Sequence, residues 1–194
     1  MQSDDSDNVL LRRWQAGDAA AGNLLCRRYQ PKLQWLFTTK VPPDEVAELQ
    51  QQTWLAMSQA CGRTGTDATR PFISFRAYLF GIARHLVLGY YAGRGRAKGA
   101  AFDPDIESLE SLGPTLSRQL SLQRRVQRIE LAVQSLPLEL QLLFEGHYVE
   151  EISCVELAEI FGLPEGTVRS RLFRARKLVL AAVDRPREDL QAVS

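Results

Sequence analysis

Between positions 167 and 177 the chain sets Thr167, Arg169, Ser170, Arg171, Phe173, Arg174 and Lys177 at spacings that acquire meaning only on a helix. At about 100° per residue, Val168, Leu172, Ala175 and Val179 share one narrow sector and are expected to form a buried stripe. The opposite sector holds Gly166, Ser170, Phe173, Arg174 and Lys177, flanked by Arg169 and Arg176 on one side and by Thr167 and Arg171 on the other. Guanidinium groups can read guanine, hydroxyls pair with several bases, and an aromatic ring can touch a thymine methyl. The chemistry this face could do is therefore readout of a DNA major groove.

Other chemistries lack their parts. The chain has no Gly-rich phosphate loop, no metal triad and no Ser/His/Asp arrangement in a plausible context. His85 has no second His, Cys or carboxylate at ligand spacing. Cys26, Cys61 and Cys154 are odd in number and lack C-x-x-C pairing, so they read as reduced thiols packed as small apolar groups. No catalytic residue, metal or cofactor is implied. The formal net charge of only +1 would argue against a nucleic-acid partner if it were spread evenly, because phosphate neutralisation drives such binding. It is not even: acid gathers at the N-terminus and mid-chain, whereas Arg94, Arg96 and Lys98 form one basic cluster and positions 169–177 form another.

The elements that must position these residues read as helices throughout. Hydrophobic runs recur at helical spacing and none alternates as a strand would, which predicts an all-α protein. Val9, Leu10 and Trp14, then Leu24, Leu25, Tyr29, Leu33 and Leu36, mark two amphipathic helices broken at Gly17-Asp18. A third is expected from about Asp44 to Cys61, with Val46, Leu49, Thr53, Trp54 and Met57 on one side. Small polar residues and breakers from Gly62 to Pro71 predict a loop. A fourth helix, aromatic and long, is expected from about Phe72 to Ala92, with Phe75, Leu79, Phe80 and Ile82 in the core.

Glycines at 93, 95, 99 and 113 and prolines at 104 and 114 make 93–120 a candidate flexible linker. Helical periodicity returns from about 121. Ser153-Cys154-Val155-Glu156 is a capping box that starts a helix, Gly162 supplies a sharp turn, and Pro164 suits the first turn of the next helix. Helix, short turn, basic helix is the helix-turn-helix spacing. Two small helical domains, 1–92 and 121–185, joined by a linker over 93–120 and followed by a tail over 186–194, are the expected organisation. With no apolar run of membrane-spanning length and an acidic N-terminus unlike a secretory signal, the sequence predicts no membrane insertion and a cytoplasmic location.

Leu136-Pro137 and the run from Ile152 to Arg176 closely resemble region 4 of the extracytoplasmic-function (ECF) sigma factors, in the sigma-70 family. The resemblance implies that the second helix of the motif reads the minus-35 promoter element. It implies base or phosphate contacts at Arg169, Ser170, Phe173 and Arg174, with Thr167 at the helix start offering a phosphate site. The first ninety-odd residues look like region 2. Glu48, Leu49, Gln51, Gln52 and Trp54 stand where the family docks on the β′ clamp helices of RNA polymerase, although Ala47 and Gln52 occupy positions usually acidic. Docking here would rest more on hydrogen bonds than on charge.

The segment Phe75 to His85 is similar to the one that melts and reads the minus-10 element, work that needs cations for phosphates and flat surfaces for unstacked bases. Arg76, Arg84, Tyr90, Tyr91, Arg94 and Arg96 supply those types, and the Gly62 to Pro71 loop is where the resemblance places a flipped minus-10 base. His85 and Gly89 replace the family's usual Asn and Asp. The implied partners are the polymerase core, through the β′ clamp helices and β flap, promoter DNA, and an anti-sigma factor. A conventional dimeric helix-turn-helix regulator with an N-terminal sensor domain shares the motif but predicts a symmetric operator and no need of polymerase.

Overall fold

The computed structural model describes residues 2–62, 74–97, 102–108 and 124–184, and among these every regular element is a helix. The break at Gly17-Asp18 is made by two residues with different roles. Gly17 adopts φ 95°, in the left-handed region that favours glycine, and Asp18 caps the next helix by accepting from the backbone N–H groups of Ala20 and Ala21 at 3.0 and 3.2 Å. Helix α1 (Gln2–Gln15) thereby folds back on α2 (Ala19–Thr38). The Trp14 ring lies so close to Gly22 that any Cβ there would come within 2.7 Å of it. Asp7, fully buried, accepts from the Arg28 guanidinium and the Tyr29 hydroxyl and fixes the register of the pair.

Helices α3 (Pro43–Gly62) and α4 (Phe75–Ala97) complete the N-terminal unit. Val46, Leu49, Thr53 and Met57 are buried and Trp54 half-buried, as the spacing predicts. Phe75, Leu79 and Phe80 are core and Ile82 packs at its edge. The fourth helix starts later and ends later than expected, reaching Ala97, because the glycines at 93 and 95 are tolerated within it. The loop over residues 63–73, where the sequence places base capture, lies outside the described residues, as do 109–123 and the tail.

The C-terminal unit consists of α5 (Arg124–Gln134), α6 (Leu138–Tyr148), α7 (Cys154–Phe161) and α8 (Glu165–Asp184). The capping box is formed in both directions: Glu156 N–H donates to Ser153 Oγ at 3.3 Å and Ser153 N–H to Glu156 Oε2 at 3.0 Å. Gly162 closes α7 at φ 64°. Ser153→Ala should cost about 0.5 to 2 kcal/mol, read as a shift of the denaturant midpoint at unchanged slope.

The two units do not stand apart. One continuous cluster joins Phe80, Ala83 and Val87 of α4 to Leu138, Leu142, Leu143, Leu157, Val168 and Leu172, while a smaller cluster of Ala132, Val133, Leu136, Leu140, Ala175 and Val179 ties α5 and α6 to α8. Residues 102–108, expected to be part of a free tether, lie against both units. Phe102 stacks on Tyr91 at 5.6 Å between centroids. The carbonyls of Glu107 and Pro104 accept from the N–H groups of Leu138 and Glu139 at 2.8 and 2.9 Å. The reason is local: Pro137 precedes α6 and gives no side-chain cap, so the unsatisfied N–H groups of the first turn are met by linker backbone.

Candidate nucleic-acid interface

Helix α8 exists as a two-faced element because its apolar residues recur at i, i+4, i+7 and i+11. Val168 and Ala175 are fully buried, Leu172 is 4% exposed, and Val179 is nearly enclosed. On the other side Ser170, Arg174, Arg176 and Lys177 are exposed, and Phe173, at 66% exposure, is the most open aromatic ring among the described residues. Lys177 Nζ stands 5.6 Å from the Phe173 centroid, a cation–π contact. Ser170 Oγ donates to the Thr167 carbonyl at 2.9 Å. Arg169 donates from Nε to Glu165 Oε1 at 2.9 Å, a bond that pushes the guanidinium pKa further up. Thr167 is half-buried in the first turn. Arg171 pairs with Asp105 of the linker at 3.0 Å. The face is thus a ridge of hydroxyl, ring and cation, held outward by a stripe that cannot turn without exposing four core side chains.

The face of α4 is arranged differently. Tyr90 is half-buried and Arg94 exposed, with Arg94 donating to the Tyr90 hydroxyl at 2.5 Å. This bond raises the Arg94 pKa. Tyr91, expected to offer a flat surface for a base, is instead a core residue: its ring is covered by Phe102, its hydroxyl donates to the Lys40 carbonyl, and burial pushes its pKa up to about 12. The physical reason is its position on the same helical stripe as Ala83 and Val87. Arg76 is also buried in this arrangement, donating to the Glu150 carbonyl at 2.8 Å. Arg84 is half-buried, paired with Glu139 and lying 4.2 Å over the Phe161 ring. The Arg96 side chain lies outside the described residues.

On α3, Glu48, Gln51 and Gln52 share the exposed face, with Gln52 donating to Glu48 at 2.7 Å. Trp54 Nε1 donates to Gln30 at 2.7 Å. Leu49, grouped with these by sequence, points the other way and is buried at 6% exposure, because it is one position of the Val46–Thr53–Met57 stripe. Among the described residues no His/Cys/Asp/Glu cluster could hold a metal ion, and no helix is long and apolar enough to cross a membrane.

The structure also displays a set of charged groups that sequence reasoning did not single out. Lys40 has no exposed surface and pairs with Glu145, itself 5% exposed. Lys32 pairs with Glu150 at 2.9 Å, and Glu139 faces Arg84. Burial pushes the Glu139 carboxyl up against the opposing pull of Arg84. Nothing local marks these residues, since the partners are tens of residues apart in the chain.

Comparison with known proteins agrees with this geometry. The family model for sigma-70, region 4 matches residues 126–179, which hold the helix-turn-helix. The ECF RNA polymerase sigma-E factor of Escherichia coli (strain K12) is 30% identical over 184 residues, covering 90% of this chain and 92% of that protein. The sigma-E factor of Salmonella typhimurium (strain LT2) is equally similar, and that of Haemophilus influenzae is 28% identical over 90% of this chain and 93% of its own length. Among solved structures, CnrH in complex with the cytosolic domain of CnrY aligns with a TM-score of 0.62 at 23% identity, over 92% of this chain and 97% of that one. The sigma factor RpoE in complex with the anti-sigma factor NepR from Bartonella quintana aligns at 0.58 and 22%, over 84% and 98%. These two likenesses speak for the fold, an all-α arrangement of two small helical units. The similarity to the sigma-E factors runs through both units and the segment between them, and the chain belongs to the ECF family of RNA polymerase sigma factors.

Proposed function

We propose that this chain binds core RNA polymerase in the cytoplasm and directs it to promoters, with α8 reading the minus-35 element and α4 engaging and helping to melt the minus-10 element. The observation that carries the reading is the outward ridge of Ser170, Phe173, Arg174 and Lys177, set over a buried stripe in the segment that matches region 4. Arg169 and Thr167 flank the ridge and serve phosphates from the first turn, where free N–H groups favour anions. Arg94 and Tyr90 are the accessible pair on α4. Arg76 and Arg84 become available only when the C-terminal unit moves away. Tyr91 acts by supporting Tyr90, whose ring it meets edge-on at 5.1 Å.

Polymerase docking falls to Glu48, Gln51 and Gln52 on α3, with Leu49 anchoring the helix from beneath. Of the solved structures it resembles, CnrH is in complex with the cytosolic domain of CnrY, and RpoE is in complex with the anti-sigma factor NepR. An anti-sigma factor is the corresponding partner proposed for this chain.

The docking assignment is tested by Gln51→Ala combined with Gln52→Ala. Both side chains are exposed, so stability should change by no more than about 0.5 kcal/mol each. Losing two interfacial hydrogen bonds should weaken binding to core polymerase by about 1 to 3 kcal/mol, roughly 5- to 150-fold in Kd. Titration of labelled protein with core enzyme measures this, and an unchanged Kd would move the docking face elsewhere.

A further inference from the structure

We propose that Glu165, the one acid between positions 165 and 177, is a base-reading residue of the minus-35 interface and specifies cytosine at one promoter position by accepting from its exocyclic N4 amino group. The proposal deepens the sigma-factor reading and rests on it for the placement of α8 in the major groove.

Every other charged side chain in that stretch is cationic: Arg169, Arg171, Arg174, Arg176 and Lys177. A bare carboxylate among them would meet phosphates of its own sign and lower affinity for every duplex. Glu165 is not bare. Arg169 Nε and Nη2 both donate to its Oε1, Nε at 2.9 Å, so the pair brings no net charge to the groove. Both bonds fall on one oxygen. Oε2 accepts from nothing among the described residues, and 42% of the side chain stays open to solvent. The result is a neutralised group with an acceptor to spare.

Its place on the helix suits a base. Glu165 begins α8, and the N-terminal residues of the second helix in a helix-turn-helix are the ones that reach base edges. It also opens the row Glu165, Arg169, Phe173 and Lys177, set at four-residue spacing along the helix. In the major groove only cytosine N4 and adenine N6 present donors. Beside adenine N6 stands N7, an acceptor whose lone pair opposes a carboxylate, whereas beside cytosine N4 stands only C5–H. Guanine O6 and N7 and thymine O4 oppose it outright. Cytosine is therefore the base that the carboxylate fits. A role confined to helix stability, through the helix dipole and the i,i+4 pair, would act on all promoters alike.

The test is transcription by core polymerase with the full-length chain on a library randomised across the minus-35 element, with the denaturant midpoint of each variant as a check of folding. Wild type should favour cytosine over guanine at one position, on one strand, by at least about fivefold, or about 1 kcal/mol. Glu165→Ala should reduce that preference below about twofold and leave the preferences at other positions as they were. Glu165→Gln, which keeps the shape of the side chain, should move the preference toward adenine, since an amide accepts from N6 and donates to N7. Arg169→Ala should weaken every promoter and keep the cytosine preference.

A common factor of change across all promoters in Glu165→Ala, or no change at any, would overturn the proposal. So would a loss confined to a guanine position that Arg169→Ala also loses, because the carboxylate would then only steer the guanidinium. Wild-type protein that gives no minus-35-dependent transcripts would overturn the sigma reading and this assignment together, whereas promoter-directed transcription with no position that depends on Glu165 overturns this assignment alone.

Discussion

Leu172→Ala should destabilise the C-terminal unit by about 2 to 5 kcal/mol, through lost burial and the cavity left behind. The side chain is 4% exposed and belongs to the cluster that links α8 to α6, α7 and, through Leu142 and Leu157, to Phe80 of α4. Because that cluster crosses between the units, the loss should appear in the main unfolding transition and not only as local fraying of α8. Chemical denaturation followed by far-ultraviolet circular dichroism measures it. A change below about 0.5 kcal/mol, the size usual for a surface substitution, would mean that the stripe faces solvent and that the orientation of α8 is inverted.

The next residues along the helix should behave in the opposite way. Phe173→Ala and Arg174→Ala remove exposed side chains, so both variants should keep the wild-type denaturant midpoint within about 0.5 kcal/mol. Both should lose minus-35-dependent transcription. If Arg174 pairs with a base edge, the loss is about 1 to 3 kcal/mol and is concentrated at one promoter position. If it meets only phosphate, the loss is similar for every promoter and steepens with salt. Run-off transcription across a promoter library separates the two outcomes. Full activity of both variants, or unfolding as severe as that of Leu172→Ala, would remove this ridge from the DNA interface.

What could be read in the sequence divides by the range of the interaction that decides it. The stripe Val168–Leu172–Ala175–Val179, the Ser153–Glu156 cap and the Gly162 turn are set within a turn or two of helix, and each is in the structure where periodicity and cap chemistry put it. Tyr91 shows a weaker reading of the same kind of signal. Phe80, Ala83, Val87 and Tyr91 recur at i, i+3, i+7 and i+11, which places the ring on the buried side, although its aromatic type alone would suit a base contact. Leu49 was likewise legible from its own stripe.

Lys40 with Glu145, and Arg84 with Glu139, belong to another class. A lysine 105 positions before its carboxylate partner carries no local mark, and charged residues read one at a time look like solvated surface. Helix α6 is the clearest case. Leu138, Leu140, Leu142 and Leu143 alternate with Glu139, Gln141 and Glu145, and all are buried, because most of the helix lies between the two units, and only Tyr148 at its end is exposed. No period reveals that, since the pattern of a helix enclosed over most of its length, with polar partners on one side, is set by what surrounds it.

Promoter-directing activity is tested most directly by transcription from a promoter library by purified core polymerase, with and without this protein. Addition of the chain should produce discrete start sites preceded by shared minus-35 and minus-10 sequences, and the isolated protein should bind the same duplexes only weakly, as two small basic patches on a nearly neutral chain release few counterions. No change in the transcripts made by core, together with tight dimeric binding of the isolated protein to a symmetric operator, would contradict it and leave the helix-turn-helix of α7 and α8 in the service of a conventional regulator.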